Sequence, residues 1–160
     1  MRILIAAVGK LKEDAERTIC ERYRTRFDAS GRGIGLGPLQ IEELSESRAA
    51  DAGVRKRDEA ARLLSLSGQS TVRIALDVKG APLSSSQFAA ALARHRDDGC
   101  KSLALLIGGP DGHGEATLHA ASSKLSLGPM TLPHGLARVV LIEQLYRAAT
   151  ILSGHPYHRA

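Results

Sequence analysis

The sequence predicts an α/β domain built on a largely parallel sheet, and three features predict it. Short apolar runs alternate with segments of helical period along the whole chain. The run "SLALLIGG" is apolar on both of its alternating faces, the pattern of a strand covered on two sides. No repeat, linker or low-complexity tract divides the 160 residues, so a single domain spanning residues 1–160 is expected.

The elements follow in order. Residues 3–8, "ILIAAV", form an apolar strand closed by Gly9. A helix is expected over residues 13–27, from Glu13 onward, because Ile19, Tyr23 and Phe27 recur every four residues on one face. The glycine-rich "DASGRGIGLGPL" reads as an irregular connection, and "LQIEEL" alternates like a second strand. Residues 54–66 are rich in helix formers, with Ala61, Leu63 and Leu64 toward one side. "TVRIALDV" is a third strand. Serine caps then open a helix that carries Phe88, Ala91 and Leu92 and stops at Gly99.

After the strand in "SLALLIGG", residues 115–123 predict a short helix. "LSLGPMTL" predicts a fifth strand broken by Gly128 and Pro129. The longest helical pattern, residues 136–152, is apolar on more than one face, which points to a subunit interface or a wrapped core position.

Composition narrows the function classes. Apolar residues make up 43% and charged residues 24%, which fits a globular chain rather than a disordered or fibrous one. The net charge of +5 is carried mainly by arginine, whose planar fork suits phosphate, so a polyanionic partner such as nucleic acid is favoured. Cys20 and Cys100 stand alone, which fits a reducing, cytoplasmic setting. The apolar start turns charged within ten residues, too short a run for a signal peptide or a membrane span.

Chemistry is expected at two irregular strand ends. "LLIGGPDGHGEAT" places a glycine loop after an apolar strand, where open α/β sheets bind ligands. It is neither a P-loop nor a dinucleotide fingerprint, and a tight turn that needs glycine explains it equally well. In "LSLGPMTLPHGLARV", Gly128, Pro129 and Pro133 leave backbone groups free to pair with a ligand. With Leu76 at the end of "RIAL", these ends can close around a small ligand.

The histidines separate by context. His155 and His158 have His-x-x-His spacing but lack further ligands for zinc, so no metal is expected. His95, His113 and His119 are expected to face solvent, and His134 to sit near the tail. Glu143 and Arg147 read as an ordinary i,i+4 ion pair.

Taken together, "LLIGGPDG", "LSLGPMTLPHGLARVVLIEQLYRA" and the terminal "HPYHR", with "AVGK" and "ALDVKG", resemble the ribosomal RNA large subunit methyltransferase H family of the SPOUT superfamily over nearly the whole chain. The resemblance implies an α/β knot with a carboxy-terminal trefoil, a homodimer, S-adenosyl-L-methionine as methyl donor, and N3 of a pseudouridine in 23S rRNA, within the ribosome, as acceptor. It implies a donor pocket formed by Leu76, Gly108 and Gly109, with Leu127, Gly128, Pro129, Met130, Thr131 and Leu132. It also implies that Tyr157, His158 and Arg159 act at the acceptor, with His158 taking the proton and Arg159 anchoring phosphate or base. Two rivals stay open: a non-catalytic RNA-binding or ribosome-associated factor keeping the fold, and a nucleotide-phosphate binder using loop 108–114.

Overall fold

The structure, a computed structural model, describes residues 1–12 and 14–158. Five strands form one sheet: β1 (Arg2–Val8), β2 (Leu39–Leu44), β3 (Val72–Pro82), β4 (Ser102–Ile107) and β5 (Ser123–Ser126). Their order is β2-β1-β4-β3-β5 and every pairing is parallel. The all-apolar reading of "SLALLIGG" is explained by this order. β4 lies in the middle of the sheet and all six of its residues are buried. Each fully buried leucine there contributes about 1.5–3 kcal/mol over an exposed one.

Helices cover both faces. α1 (Ala15–Gly31), α3 (Ser85–Asp97) and α5 (His134–Ser153) lie on one side, with α5 packed against both others. α2 (Ala52–Leu66) and α4 (Glu115–Ala120) pack together on the other. The larger core joins Ile3, Ile5, Leu103 and Leu105 to Phe27, Leu92 and Leu141, whereas the α2 side buries Ala6, Val8, Leu63 and Leu106. Alternation along β1 thus serves two cores. α5 is buried along much of its length because α1, α3 and the sheet wrap it. Among the described residues no helix is long and apolar enough to cross a membrane.

Local chemistry sets the helix ends. The Asp14 side chain accepts from the backbone N–H groups of Glu16 and Arg17 to start α1. Ser84 and Gln87 form a capping box at α3, and Gly99, with φ 81°, follows its end. Three expectations need correction. Helix α1 runs on through Gly31 and a 3-10 turn follows at Arg32–Ile34, so the glycine-rich connection is largely regular. Gly31 is required there, since a Cβ would lie 2.5 Å from the Leu36 carbonyl oxygen. The fifth strand is "SKLS", ending before Leu127. Ala61 is exposed, because α2 buries Glu59, Ala60 and Leu63 instead. The expected helix start at Glu13 and the tail residue Arg159 lie outside the described residues.

β3 bulges at one point where it pairs with β5. Leu76 and Ala81 both register with Leu125, so residues 77–80 of β3 bulge out opposite a single residue of β5. Gly80 permits the close approach of the bulge to β5, because a Cβ there would sit 2.6 Å from the Leu125 carbonyl carbon and 2.7 Å from its nitrogen.

Candidate methyl-donor site

A cavity of about 250 Å³ opens at the carboxyl ends of β4 and β5, beside residues 76–78 of β3. Leu76, Asp77 and Val78 line it from β3, and Ile107, Gly108, Gly109, Gly112 and His113 from β4 and its loop. Leu125, Ser126, Leu127, Gly128, Met130 and Leu132 line it from β5 and the segment after it, with His134 and Ala137 from α5. Larger hollows lie elsewhere. One of about 460 Å³ runs between β2 and α1, and one of about 710 Å³ lies between α2 and α4. Neither is at the strand ends, where loop backbone is presented to a ligand.

Of the residues expected to hold a donor, Leu76, Gly108, Gly109, Leu127, Gly128, Met130 and Leu132 meet in this cavity. Pro129 and Thr131 belong to the same segment and are exposed. The segment is irregular, and the backbone N–H groups of Met130, Thr131 and Leu132 donate to no described residue. Gly128 has φ 121°, a conformation in which glycine is favoured. The two glycines of the other loop also serve the fold. A Cβ on Gly108 would lie 3.0 Å from Gly112 and His113 backbone atoms, and one on Gly109 would lie 2.6 Å from the Glu59 carboxylate. The tight-turn and ligand-loop alternatives therefore describe the same residues.

Sequence reasoning missed Asp77, His113 and His134 as cavity residues. The expectation of a solvent-facing His113 is corrected: it is only 7% exposed, and its Nε2–H donates to the Leu76 carbonyl at 3.0 Å. Its neighbourhood in "GGPDGHG" was the available signal, since a loop folding back over a strand end carries its side chains inward. His134 lies at the cavity, not beside the tail, because it begins α5 and the tail follows the other end of that helix. His95 is half-buried and His119 exposed.

Burial lowers the His113 pKa below the ordinary range, against the opposing pull of the Leu76 carbonyl and Asp77. The folded state thus binds fewer protons than the unfolded chain once pH falls through about 6.5. Stability from this group is full above that pH and is lost as pH drops toward the depressed folded value. Urea unfolding at pH 7.5 and pH 5 is expected to show this loss in the natural protein and a smaller one in His113→Leu.

The tail makes a separate cluster. Tyr157 donates its hydroxyl to Glu143 at 3.0 Å, lies 3.5 Å from the Tyr23 hydroxyl, and packs its ring 4.6 Å from that of Tyr146. The Arg147 guanidinium sits over the Tyr157 ring and pairs with Glu143 at 2.6 Å. Burial, then the hydrogen bonds to Tyr23 and Glu143, push the Tyr157 phenol upward, so it stays protonated as a donor. His158 is half-buried, and its Nδ1 is shielded without a described partner. Neither residue lines the cavity of its own chain. The tail reaches back along α5 to Glu143, about 9 Å short of Ala137 along the helix axis.

Arg138, one residue past Ala137, is 1% exposed. It donates to the Val8 carbonyl at 3.0 Å, to the Gly9 carbonyl and to Glu43. Glu43 also accepts from Leu11 N and Arg17, so this network ties the loop after β1 to the helix that borders the cavity. Nearby Cys20 has its thiol pushed up to about 11 by burial, leaving it unreactive at neutral pH. Arg138→Met is expected to cost about 3 kcal/mol in denaturant unfolding, since it strips buried carbonyls and a carboxylate of their partner.

The glycine-lined cavity lies beside the bulge where β3 meets β5 in a wholly parallel sheet, an arrangement that fits the SPOUT methyltransferases. The family model described as "Predicted SPOUT methyltransferase" matches residues 1–158. The ribosomal RNA large subunit methyltransferase H of Nitrobacter winogradskyi is 46% identical over 159 residues, covering 99% of each chain. That of Rhodopseudomonas palustris is 48% identical over 160 residues, covering 100% of each. A solved structure of a probable methylase family protein from Haemophilus influenzae has the same fold, with a TM-score of 0.52 at 11% identity over 99% of this chain and 70% of that one. The chain belongs to the ribosomal RNA large subunit methyltransferase H family of SPOUT methyltransferases, and its fold is their α/β knot.

Proposed function

We propose that this protein transfers a methyl group from S-adenosyl-methionine to N3 of a pseudouridine in 23S ribosomal RNA, working as a homodimer on the assembled ribosome. The observation that carries the proposal is the cavity beside the β3 bulge, where Leu76, Gly108, Gly109, Leu127, Gly128, Met130 and Leu132 converge. Its residues fit the donor. Leu76, Ile107, Leu125 and Leu132 offer apolar walls for adenine and the thioether chain. The N–H groups of Met130, Thr131 and Leu132, which donate to no described residue, offer donors to ring nitrogens and carboxylate. The donor supplies a methyl carbon already activated by a positively charged sulfur.

The chain's own work is positioning and one proton transfer. The N3–H proton passes to a base, the freed N3 lone pair forms the bond to the methyl carbon, and the electrons of the broken carbon–sulfur bond stay on sulfur. His158 is the proton acceptor in this proposal, with Tyr157 and Arg159 orienting the base. Because Tyr157 and His158 do not line the cavity of their own chain, the tail of a second copy supplies them. Val78, Met130 and Leu136 are large apolar side chains exposed at or beside the cavity, an arrangement suited to cover by that copy.

Charge supports an RNA acceptor. Exposed Lys10 and Arg48 follow the carboxyl ends of β1 and β2, and exposed Lys79 lies in the bulge of β3 beside the cavity-lining Asp77 and Val78. Methyl transfer onto assembled ribosomes is expected to exceed transfer onto naked 23S rRNA fragments by at least about tenfold, since the small chain has few contacts of its own. Equal rates would contradict the ribosomal acceptor. Calorimetric titration separates the rivals: saturable binding of S-adenosyl-methionine and none of ATP supports the enzyme, and the reverse supports a phosphate binder. No binding of either supports the non-catalytic factor.

A further inference from the structure

We propose that Asp77 selects the charge of the ligand in this cavity, favouring the positively charged donor over the neutral product left after transfer. The inference rests on the cavity being the S-adenosyl-methionine site. Donor and product share their adenosine, ammonium and carboxylate groups. They differ by the methyl group and by one positive charge on sulfur. A cavity of apolar walls and backbone N–H groups holds both about equally, and a carboxylate in the wall does not.

Asp77 is the one acidic side chain lining the cavity among the described residues. The rest of the lining is apolar, glycine or serine, apart from His113 and His134. Its Oδ1 accepts from the Lys79 backbone N–H at 2.8 Å, and its Oδ2 has no described partner. The residue is half-buried, so its charge is screened less than that of a surface carboxylate.

Its place is held on both sides. The carbonyl of Leu76 accepts from His113, and Gly80 is lodged against the backbone of Leu125. The carboxylate, held by the Lys79 N–H, therefore stands in the β3 bulge before any ligand arrives and needs little ordering on binding. Its charge acts across this region, since it pulls on the ring of His113. A role confined to the turn would need only Oδ1. The Asp77→Asn protein keeps that acceptor and removes the charge.

The test is calorimetric titration of natural and Asp77→Asn proteins with S-adenosyl-methionine, S-adenosyl-homocysteine and an analogue bearing an ammonium in place of the sulfonium. Asn is expected to weaken both cationic ligands about tenfold and the neutral product less than about twofold. In the natural protein, the preference for the sulfonium ligand over the product should shrink as salt rises from low concentration to about 1 M. Should Asn distort the loop, Asp77→Ser and the salt series on the natural protein decide the matter. An unchanged ratio of donor to product affinity in both variants overturns the inference. Failure of the natural protein to bind any of the three ligands overturns the donor site itself, a distinct result.

Discussion

Gly80→Ala is expected to destabilise the protein by about 2–4 kcal/mol, measured by urea unfolding, and to lower donor affinity with it. The added methyl would meet backbone atoms of Lys124 and Leu125 at 2.6 to 2.7 Å, and no flexible side chain is there to give way. Those atoms belong to β5, which is in register with β3 on both sides of the excursion, so relief requires breaking the pairing. The same pairing places Leu76 and Leu125 in the cavity wall, which is why binding should fall with stability. Gly33→Ala is the matched control. A Cβ there meets nothing within 4 Å and φ is not positive, so the change is expected to be within about 0.5 kcal/mol.

The second large effect belongs to the tail. His158→Ala is expected to reduce methyl transfer by about 10² to 10⁴, the usual worth of a positioned proton acceptor, with donor affinity nearly unchanged. Arg159→Ala should reduce transfer and raise the requirement for ribosomes, because an anchor to phosphate or base is lost. Near-normal rates with both variants would remove the tail from the mechanism. A mixing experiment adds a sharper arm. Gly108→Val blocks the glycine loop, since a Cβ there already lies 3.0 Å from Gly112 and His113 backbone atoms. Chains with intact cavities but His158→Ala, mixed with Gly108→Val chains that keep their tails, should regain transfer if the tail serves a second copy's cavity. No recovery after subunit exchange would assign each tail to its own chain.

The sheet was legible because its strands differ in burial. From Leu103 to Ile107 β4 carries no polar residue on either face, and it occupies the centre. Leu76, the Gly108 loop and the segment after β5 were legible as a candidate site because strand ends rich in glycine and proline leave backbone groups unpaired. The length of α1 was not. Asp28, Ser30 and Gly31 have weak helix propensity, yet packing of Phe27 and of Gly31 against Leu36 overrides it. The bulge of β3 was invisible to periodicity, since Gly80 is one ordinary glycine until Leu125 is brought against it by a contact 45 residues away. Only the resemblance of whole motifs implied the knot. His113 escaped for a related reason: its burial depends on the Leu76 carbonyl, a partner 37 residues away.

The most direct test of the central claim is the position of the methyl group. 23S rRNA from ribosomes lacking the modification, incubated with the protein and isotopically labelled S-adenosyl-methionine, should be digested and its nucleosides resolved by mass spectrometry with fragmentation. The account predicts label on a pseudouridine, on N3 of its base, appearing with the natural protein and lost with Gly108→Val. Label on a ribose, on another base, or at equal level with the blocked cavity would contradict it.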